Sequence, residues 1–268
     1  MGEDLAGVTS RPDLLQRLVA ESAQEMEERR QVTSLAEVER LASRYEPRDF
    51  AGALRGAGLA VIAEVKQRTP SMGVLTTDYR PARLAESYER GGAAAISVLT
   101  HRAGFGGSVD HLDAVREATS LPILRKDFIT DAYQVVEARA HGADAVLLIV
   151  AALTPHSLVA LLNLAKDHGL AALVEVHDED ETRVAVDAGA QVIGVNHRDL
   201  RTFAVDLALT ERLRPLIPRE RVVVAESGIK GRAEARRMRE AGADAILAGE
   251  VLMRATDPAA VIGELRGA

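Results

Sequence analysis

The sequence predicts a closed (β/α)8 barrel of parallel strands with an N-terminal helical extension. Eight short apolar runs recur along the chain, and each is followed by a segment of helical periodicity. The runs are mostly apolar on both faces, as is typical of buried parallel strands, and most of them end in a polar or charged residue. The predicted strands are Leu59–Val65, Ala93–Leu99, Leu121–Arg125, Asp144–Val150, Ala171–Glu175, Gln191–Val195, Arg221–Ala225 and Asp244–Ala248.

A repeated phrase marks the entry into several of these strands. Its variants are "GGAAAIS" (91–97), "HGADAVLL" (141–148), "AGAQVIGV" (188–195) and "AGADAILAG" (241–249). The glycine suits the left-handed end of a helix, and the following strand then pairs through a right-handed crossover. An open doubly wound sheet is the alternative, but no dinucleotide-type glycine fingerprint follows the first strand. The closed barrel is therefore favoured.

The segment before the first strand predicts helices. Residues 1–10 are interpreted as a frayed tail, and apolar residues such as Leu14 and Leu18 recur at helical spacing from about residue 11 to 45. Thr33 and Ser34 predict an N-cap within this extension. The helices are expected to cap the barrel floor or to cover the mouth. No linker is evident, so residues 1–268 are expected to form one domain, with the barrel at 59–268.

Composition narrows the function classes. The chain has 268 residues, enough for a barrel of about 250. Its net charge of −7 argues against a general nucleic-acid binder. The sequence has no cysteine, which excludes disulfides, thiolate metal sites and thiol catalysis. The N-terminus is polar and acidic, and no apolar run approaches the roughly 20 residues that cross a bilayer, so a cytoplasmic enzyme without membrane contact is expected.

Polar residues follow the predicted strands, and strand ends of a parallel barrel share one face. Glu64 and Lys66 are two residues apart and would point the same way, as a catalytic pair or as a structural ion pair. Lys126 follows an apolar run, so partial desolvation is expected to lower its pKa towards that of a general acid; the alternative is a surface lysine paired with Asp127. Glu175 also follows a buried run and needs a partner there, which makes it an acid/base candidate.

Other strand ends predict contacts with substrate. His177 is interpreted as a loop residue or a neighbour of a catalytic group. Asn196 can hydrogen-bond a hydroxyl or carbonyl, and Arg198 can pair with Asp199 or bind a carboxylate. Small residues in the last two strand–helix loops predict a phosphate site, whereas the nearby acidic side chain at position 250 is expected to point away from the anion. The loop residues of this predicted phosphate site are Ser227, Gly228, Gly249 and Glu250.

From about Leu14 to Leu265 the sequence resembles the indole-3-glycerol phosphate synthase family. The motifs that carry the resemblance are "IAEVK…PS.G", "SVLT…FGGS", "LRKDFI.D.YQ", "LVEVH", "IGVN.RDL", "AESGI" and "GADA.L.GE.LM". The resemblance implies ring closure, decarboxylation and dehydration of 1-(2-carboxyphenylamino)-1-deoxyribulose 5-phosphate in tryptophan biosynthesis. It implies no metal and no organic cofactor, and it suggests other tryptophan-pathway enzymes as partners.

The resemblance also implies roles for individual residues. Lys126 would be the acid of ring closure, and Glu175 and Lys66 would share dehydration, with the division between them left open. The candidate catalytic residues are Lys126, Glu175, Lys66, Glu64, Asn196 and Glu226. The candidate substrate-binding residues are Thr69, Ser71, Phe128, Arg198, Ser227, Gly228, Gly249 and Glu250.

The sequence departs from the family pattern in a few loop positions. Gln67 replaces a basic residue, with Arg68 one place later; Thr69 replaces a serine. His101 follows the motif "SVLT" at a position where the family usually has an acidic residue. His197 follows Asn196 at a position where asparagine or alanine is usual. The aromatic pair before "GGS" is reduced to the single residue Phe105. These changes leave open a paralogue for a modified anthranilate-derived substrate. A Schiff-base aldolase, a sugar-phosphate isomerase and a non-catalytic phosphate-binding barrel are further alternatives.

Overall fold

A computed structural model describes residues 14–56, 58–70, 73–199 and 202–268. It confirms the predicted (β/α)8 barrel, because eight parallel strands close into one sheet in the order β1-β8-β7-β6-β5-β4-β3-β2. The strands are β1 Ala60–Val65, β2 Ala95–Leu99, β3 Ile123–Lys126, β4 Ala145–Ile149, β5 Ala171–Val176, β6 Val192–Asn196, β7 Val222–Glu226 and β8 Ala245–Ala248. Each strand overlaps its predicted run, and the bounds differ by no more than two residues.

Helices follow the strands and cover the outside of the barrel. The helices are α1 Leu14–Val32, α2 Leu35–Ala42, α3 Phe50–Ala53, α4 Pro81–Arg90, α5 Arg102–Phe105, α6 Asp110–Ala118, α7 Ala132–Ala140, α8 Pro155–Asp167, α9 Glu179–Asp187, α10 Ala208–Leu213, α11 Arg232–Glu240, α12 Glu250–Met253 and α13 Pro258–Arg266. Two 3₁₀ turns lie at Val150–Ala152 and Arg214–Leu216. No helix among the described residues is both long and apolar enough to span a membrane.

Side chains that point into the barrel form layers from alternate strands, as this architecture requires. The odd-numbered strands supply an apolar layer of Ile62, Leu124, Leu173 and Val224, all buried in one cluster. Two residues further along each of these strands, the same face carries charged side chains. This second layer consists of Glu64, Lys126, Glu175 and Glu226. The strand period of two therefore places a charged ring directly above an apolar floor.

The N-terminal extension both closes the floor and covers the mouth of the barrel. Phe50 and Leu54 pack into the inner core with the apolar layer. Leu14 and Leu18 of α1 instead line the cavity at the opposite end. Ser34 caps α2 by accepting a hydrogen bond from the Glu37 backbone N–H, which confirms the predicted N-cap. The predicted tail and the start of the extension, residues 1–13, lie outside the described residues.

A buried polar network attaches α1 to the barrel. The Arg29 guanidinium donates to both carboxylate oxygens of Glu137, at 2.6 and 2.9 Å. Arg125 is fully buried, and its guanidinium donates to the Glu137 carboxylate at 2.8 Å and to the Asp127 carboxylate at 3.1 Å. The Ser22 hydroxyl also donates to Asp127, at 2.9 Å. The charges are paired and hydrogen-bonded, as burial demands, and they fix the helix that covers the mouth.

Candidate functional site

A cavity of about 960 Å³ opens at the carboxyl ends of the strands. Every predicted site residue within the described residues lines it; Ser71 lies outside them. One feature of the loop after β1 was not predicted, a short antiparallel ribbon of Arg68–Thr69 with Gly73–Val74, whereas Thr69 lies at the cavity wall as expected of a substrate-binding candidate. The topology therefore brings strand ends that are far apart in sequence into one pocket.

Lys126, the last residue of β3, is the cation at the centre of the charged ring. Its Nζ lies 3.1 Å from Glu175 Oε2 and 3.0 Å from Glu226 Oε2. Burial disfavours the ammonium, but these carboxylates outweigh burial and hold the pKa of Lys126 above its usual value. The predicted fall in this pKa is therefore wrong. The alternative pairing with Asp127 is wrong as well, since Asp127 binds Arg125.

Glu175 on β5 is held by two hydrogen-bond donors, Lys126 and Asn196, and forms an ion pair with His177. Its Oε1 lies 3.1 Å from Asn196 Nδ2 and 3.3 Å from His177 Nε2, while Oε2 contacts Lys126. Burial raises the pKa of a carboxyl, but the positive charge of Lys126 and the contacts with His177 outweigh it and keep the pKa of Glu175 well below its usual range. Glu175 is therefore an ionised carboxylate inside the barrel.

Glu226 on β7 has a different environment, although it contacts the same lysine. Its Oε1 has no hydrogen-bond partner among the described residues. Burial raises its pKa to about 7, helped by the nearby charge of Glu175 and opposed by Lys126. Gly194 on β6 makes room for this carboxylate, because a Cβ at position 194 would overlap Glu226 Oε1.

Glu64 and Lys66 form a direct ion pair at the cavity wall, which confirms that the two side chains point the same way. Both are largely buried, with 4% and 13% of their side chains exposed. A Cβ at Gly249, just after β8, would lie 2.9 Å from Lys66 Nζ and still closer to the Glu64 carboxylate. The glycine predicted to serve phosphate therefore also leaves space for the ion pair.

The loop after β7 presents backbone groups in an unusual conformation. Ser227 and Gly228 are successive residues with φ of 67° and 79°. Successive N–H groups in a turn can form a concavity that binds an anion, and the small side chains of this loop leave its backbone accessible from the cavity. The Ser227 hydroxyl donates to Asn196 Oδ1 at 2.9 Å and so ties this loop to β6. Glu250 lies 3.4 Å from Arg254, which partly offsets its charge near the predicted phosphate site.

The other end of the cavity is apolar. Leu14, Leu18, Phe105 and Phe128 line it together with aliphatic side chains from the barrel. His101 lies behind this wall, with its ring 5.3 Å from that of Phe128 in an edge-to-face arrangement. The cavity thus joins an apolar end to a polar end across the charged ring, and this layout suits a ligand with an aromatic group and a phosphate.

A model of the indole-3-glycerol phosphate synthase family matches residues 15–265. The chain belongs to the indole-3-glycerol phosphate synthase family. It is 57% identical over 255 residues to indole-3-glycerol phosphate synthase 2 of Streptomyces coelicolor, covering 95% of this chain and 99% of that one. It is 48% identical over 257 residues to the indole-3-glycerol phosphate synthase of Dehalococcoides mccartyi, covering 94% and 99%.

Solved structures support the fold alone. The chain matches a crystal structure of 3-hexulose-6-phosphate synthase with a TM-score of 0.62 and 19% identity, over 78% of this chain and 99% of that one. A second 3-hexulose-6-phosphate synthase, from Salmonella typhimurium, matches with a TM-score of 0.63 and 16% identity, over 78% and 97%. Both likenesses agree with the barrel topology of the family.

Two of the departures from the family pattern have structural explanations. His197 is buried, with Nδ1 2.9 Å from the Ser227 carbonyl oxygen and Nε2 2.7 Å from the Thr210 hydroxyl. Burial lowers its pKa, so a neutral ring fastens the Ser227 loop. His101 accepts a hydrogen bond from the Gly104 N–H at 3.0 Å and caps α5. Both histidines therefore support cavity walls from behind.

Sequence reasoning missed several residues of the cavity. Lys230 and Arg254 line its polar end and add positive charge near the small-residue loops. Phe203 and Val205 form part of the rim, and the Arg198 guanidinium donates to the Phe203 carbonyl at 3.4 Å. Lys230 could have been found from the sequence, because it is a basic residue only three positions after Ser227 in the predicted phosphate site. The rim residues had none, since they lie in an irregular loop.

Proposed function

We propose that the chain closes the ring of 1-(2-carboxyphenylamino)-1-deoxyribulose 5-phosphate and removes carbon dioxide and water to give indole-3-glycerol phosphate. The observation that carries the proposal is the ammonium of Lys126, held at 3.1 and 3.0 Å by Glu175 and Glu226 between an apolar end and a polar end of one cavity. The family membership supports this activity, which is that of a carbon–carbon lyase in tryptophan biosynthesis.

The two ends of the cavity determine how this substrate is oriented. The phosphate binds the backbone N–H groups around Ser227 and Gly228, with Gly249 beside them, in the loops after the last two strands where barrels of this kind commonly bind phosphate. The aromatic ring lies against Phe128 and the neighbouring apolar side chains. Thr69, at the wall, contacts the substrate near its carboxylate. The ketone carbon is then brought to the charged ring.

Ring closure needs an acid at the ketone oxygen, because the attack of the aryl carbon leaves negative charge there. Lys126 supplies this proton. Its ammonium is fixed between two carboxylates, so the donor is in place before the substrate arrives. Proton transfer from a positioned group of this kind is worth about 10²–10⁴-fold in rate. Loss of carbon dioxide then restores the aromatic ring.

Dehydration needs a base for the ring proton and an acid for the leaving hydroxyl. Glu175 is the base, because hydrogen bonds from Lys126 and Asn196 and an ion pair with His177 keep it ionised inside the barrel. Lys66 is the acid, and Glu64 holds its ammonium in the cavity. Asn196 orients Glu175 and Ser227, and Glu226 positions Lys126. Arg198 and Glu250 contribute to the polar rim.

The electrostatics disfavour the Schiff-base alternative. An imine forms from a neutral amine, whereas Glu175 and Glu226 hold the pKa of Lys126 above its usual value. We therefore propose an acid rather than a nucleophile at position 126. The cytoplasm remains the expected location, and association with other tryptophan-pathway enzymes remains a prediction.

The test is direct turnover of the carboxyphenylamino-deoxyribulose phosphate, followed by indole fluorescence and by mass for loss of carbon dioxide and water. Lys126→Met is expected to lower kcat by at least about 10²-fold with the fold unchanged. Lys166→Met on the outer helix α8 is the matched control and should behave as wild type. Unchanged turnover in Lys126→Met, or a borohydride-trapped adduct at Lys126, would contradict the proposed role.

A further inference from the structure

Lys126 does not distinguish between its two carboxylates. Glu175 Oε2 and Glu226 Oε2 lie 3.1 and 3.0 Å from the same Nζ, and both side chains are almost fully buried. One ammonium cannot neutralise two buried carboxylates. The repulsion between two carboxylates that share a site raises the pKa of one of them, which then keeps a proton. Something other than Lys126 must decide which carboxylate keeps a proton.

The difference lies at the other oxygen of each carboxylate. Glu175 Oε1 faces Asn196 Nδ2 at 3.1 Å and His177 Nε2 at 3.3 Å. The Asn196 contact is a hydrogen bond and the His177 contact is an ion pair, whereas Glu226 Oε1 has no hydrogen-bond partner within the described residues and lies over Gly194. Asn196 contributes a neutral dipole, whereas His177 contributes a charge when it is protonated. The histidine is therefore the stronger source of the asymmetry.

Glu181 fixes the orientation and charge of His177. Glu181 Oε2 accepts a hydrogen bond from the His177 backbone N–H at 2.8 Å and lies 3.1 Å from Nδ1. The ring is thus placed between two carboxylates, and both of its nitrogens are donors only in the imidazolium form. Burial lowers the pKa of His177, but Glu175 and Glu181 outweigh burial and raise it to about 10.

His177 and Glu181 act from outside the cavity, since neither is among the described residues that line it. The charged groups that face His177 are Glu175 on β5 and Glu181 on α9, with Lys126 beyond Glu175. Opposite Glu175 the flanking strands β4 and β6 present Ile149 and Gly194. The turn Val150–Ala152 and the inner face of α8 (Leu158, Leu161, Ala165) add no titratable side chain.

We propose that the His177–Glu181 pair selects Glu175, rather than Glu226, as the ionised carboxylate beside Lys126. Both are positioning residues: Glu181 holds the ring, and the ring keeps Glu175 free of its proton and ready to accept one from the substrate. The proton of the crowded pair then stays on Glu226. This role rests on the proposed function, in which Glu175 is the base of dehydration.

The kinetic test is the pH dependence of kcat for wild type, His177→Gln and Glu181→Gln, with His168→Gln at the end of α8 as the matched control. Loss of the imidazolium raises the proton affinity of Glu175, so the acid limb of the profile should move up by about one pH unit or more in His177→Gln. Glu181→Gln should move it in the same direction by less, and KM should change little. Equal acid limbs in wild type and His177→Gln would overturn the proposal, as would a uniform loss of kcat without a shift.

Carboxyl ¹³C NMR of labelled glutamates tests the same proposal without turnover, with assignments from Glu175→Gln and Glu226→Gln. In wild type Glu226 should titrate near neutral pH while Glu175 stays ionised, and in His177→Gln the titration of Glu175 should move up. A Glu175 titration that is the same in both proteins would overturn the proposal. Absence of wild-type turnover would instead count against the proposed function, and the NMR result would still decide the role of His177.

Discussion

Replacement of Gly194 by alanine tests how the barrel accommodates Glu226. A Cβ at this position would lie 3.2 Å from Leu173 Cδ1, 3.3 Å from Glu226 Cδ and nearer still to Glu226 Oε1. The nearer carboxylate oxygen must withdraw by about 1.4 Å to restore an ordinary contact of roughly 3.5 Å. The backbone of β6 cannot yield instead, because Gly194 is paired with both neighbouring strands.

The size of the effect follows from the contact that would be lost. A shift of about 1.4 Å is nearly half of the 3.0 Å that separates Glu226 Oε2 from Lys126 Nζ, so this hydrogen bond cannot keep its length. Misplacement of a catalytic group by about 1 Å costs about 10²-fold in rate. Overpacking in a tight interior costs about 1–3 kcal/mol of stability. We therefore expect Gly194→Ala to lower kcat by about 10²-fold and to remain folded.

The assay is kcat and KM on the carboxyphenylamino-deoxyribulose phosphate together with urea unfolding. Gly263→Ala is the matched control: apart from its chain neighbours and the backbone of its own helix, no described atom lies within 4 Å of its Cβ position, and alanine in α13 should stabilise the helix by about 0.5–1 kcal/mol. Gly194→Ala is also measured with Glu226→Ala, which removes the overlapping carboxylate. The reasoning is refuted if Gly194→Ala lowers kcat by the same factor whether or not Glu226 is present.

Three further predictions concern charge, anchoring and strain. The pKa of Glu226 in the folded protein is raised to about 7, so its ionisation costs stability as pH rises through that value. Urea unfolding should therefore show Glu226→Gln to be more stable than wild type above pH 7. The difference should vanish below the unfolded pKa of about 4.5. Glu137→Gln breaks the buried pairs with Arg29 and Arg125 and should cost about 3–5 kcal/mol of unfolding free energy. Glu37→Gln, at an exposed pair with Arg40, is the control and should leave the urea midpoint nearly unchanged. Ser227→Gly should stabilise the fold by about 1 kcal/mol, because glycine adopts the left-handed backbone conformation without strain. The same change should raise KM, because it removes the hydroxyl that holds Asn196. Higher stability without a change in KM would contradict this role of the hydroxyl.

The sequence was sufficient for the barrel because the information is local. Each strand is a short apolar run beside a helix, and the two-residue period places Glu64 and Lys66 on one face without knowledge of the neighbours. The pKa direction of Lys126 was not accessible in this way. Its partners Glu175 and Glu226 lie 49 and 100 residues further along the chain, so only the closed barrel shows that two carboxylates outweigh burial.

Packing around the charged ring was also hidden from the sequence. Gly194 falls in a strand motif, "IGVN", where nothing in the local pattern distinguishes it from any other small residue of a strand. Gly194 matters because the Glu226 carboxylate lies against it, although Glu226 is 32 residues further along the chain. The apolar end was partly predictable through Phe128, whereas the part formed by α1 depends on how the extension folds over the mouth.

The charged ring explains why the odd- and even-numbered strands of this barrel differ at the mouth. A barrel layer is usually filled by bulky branched side chains from alternate strands, and the lower layer here follows that rule. In the layer above, the odd-numbered strands carry three carboxylates and one lysine, which have longer side chains and need polar contacts. The even-numbered strands β6 and β8 carry glycines beside this layer. Gly194 on β6 lies against the Glu226 carboxylate, and Gly249, just past the end of β8, lies against the Glu64 carboxylate. These two glycines therefore set the distances within the proposed acid–base group, and at these positions a change in packing also changes the placement of the charged side chains.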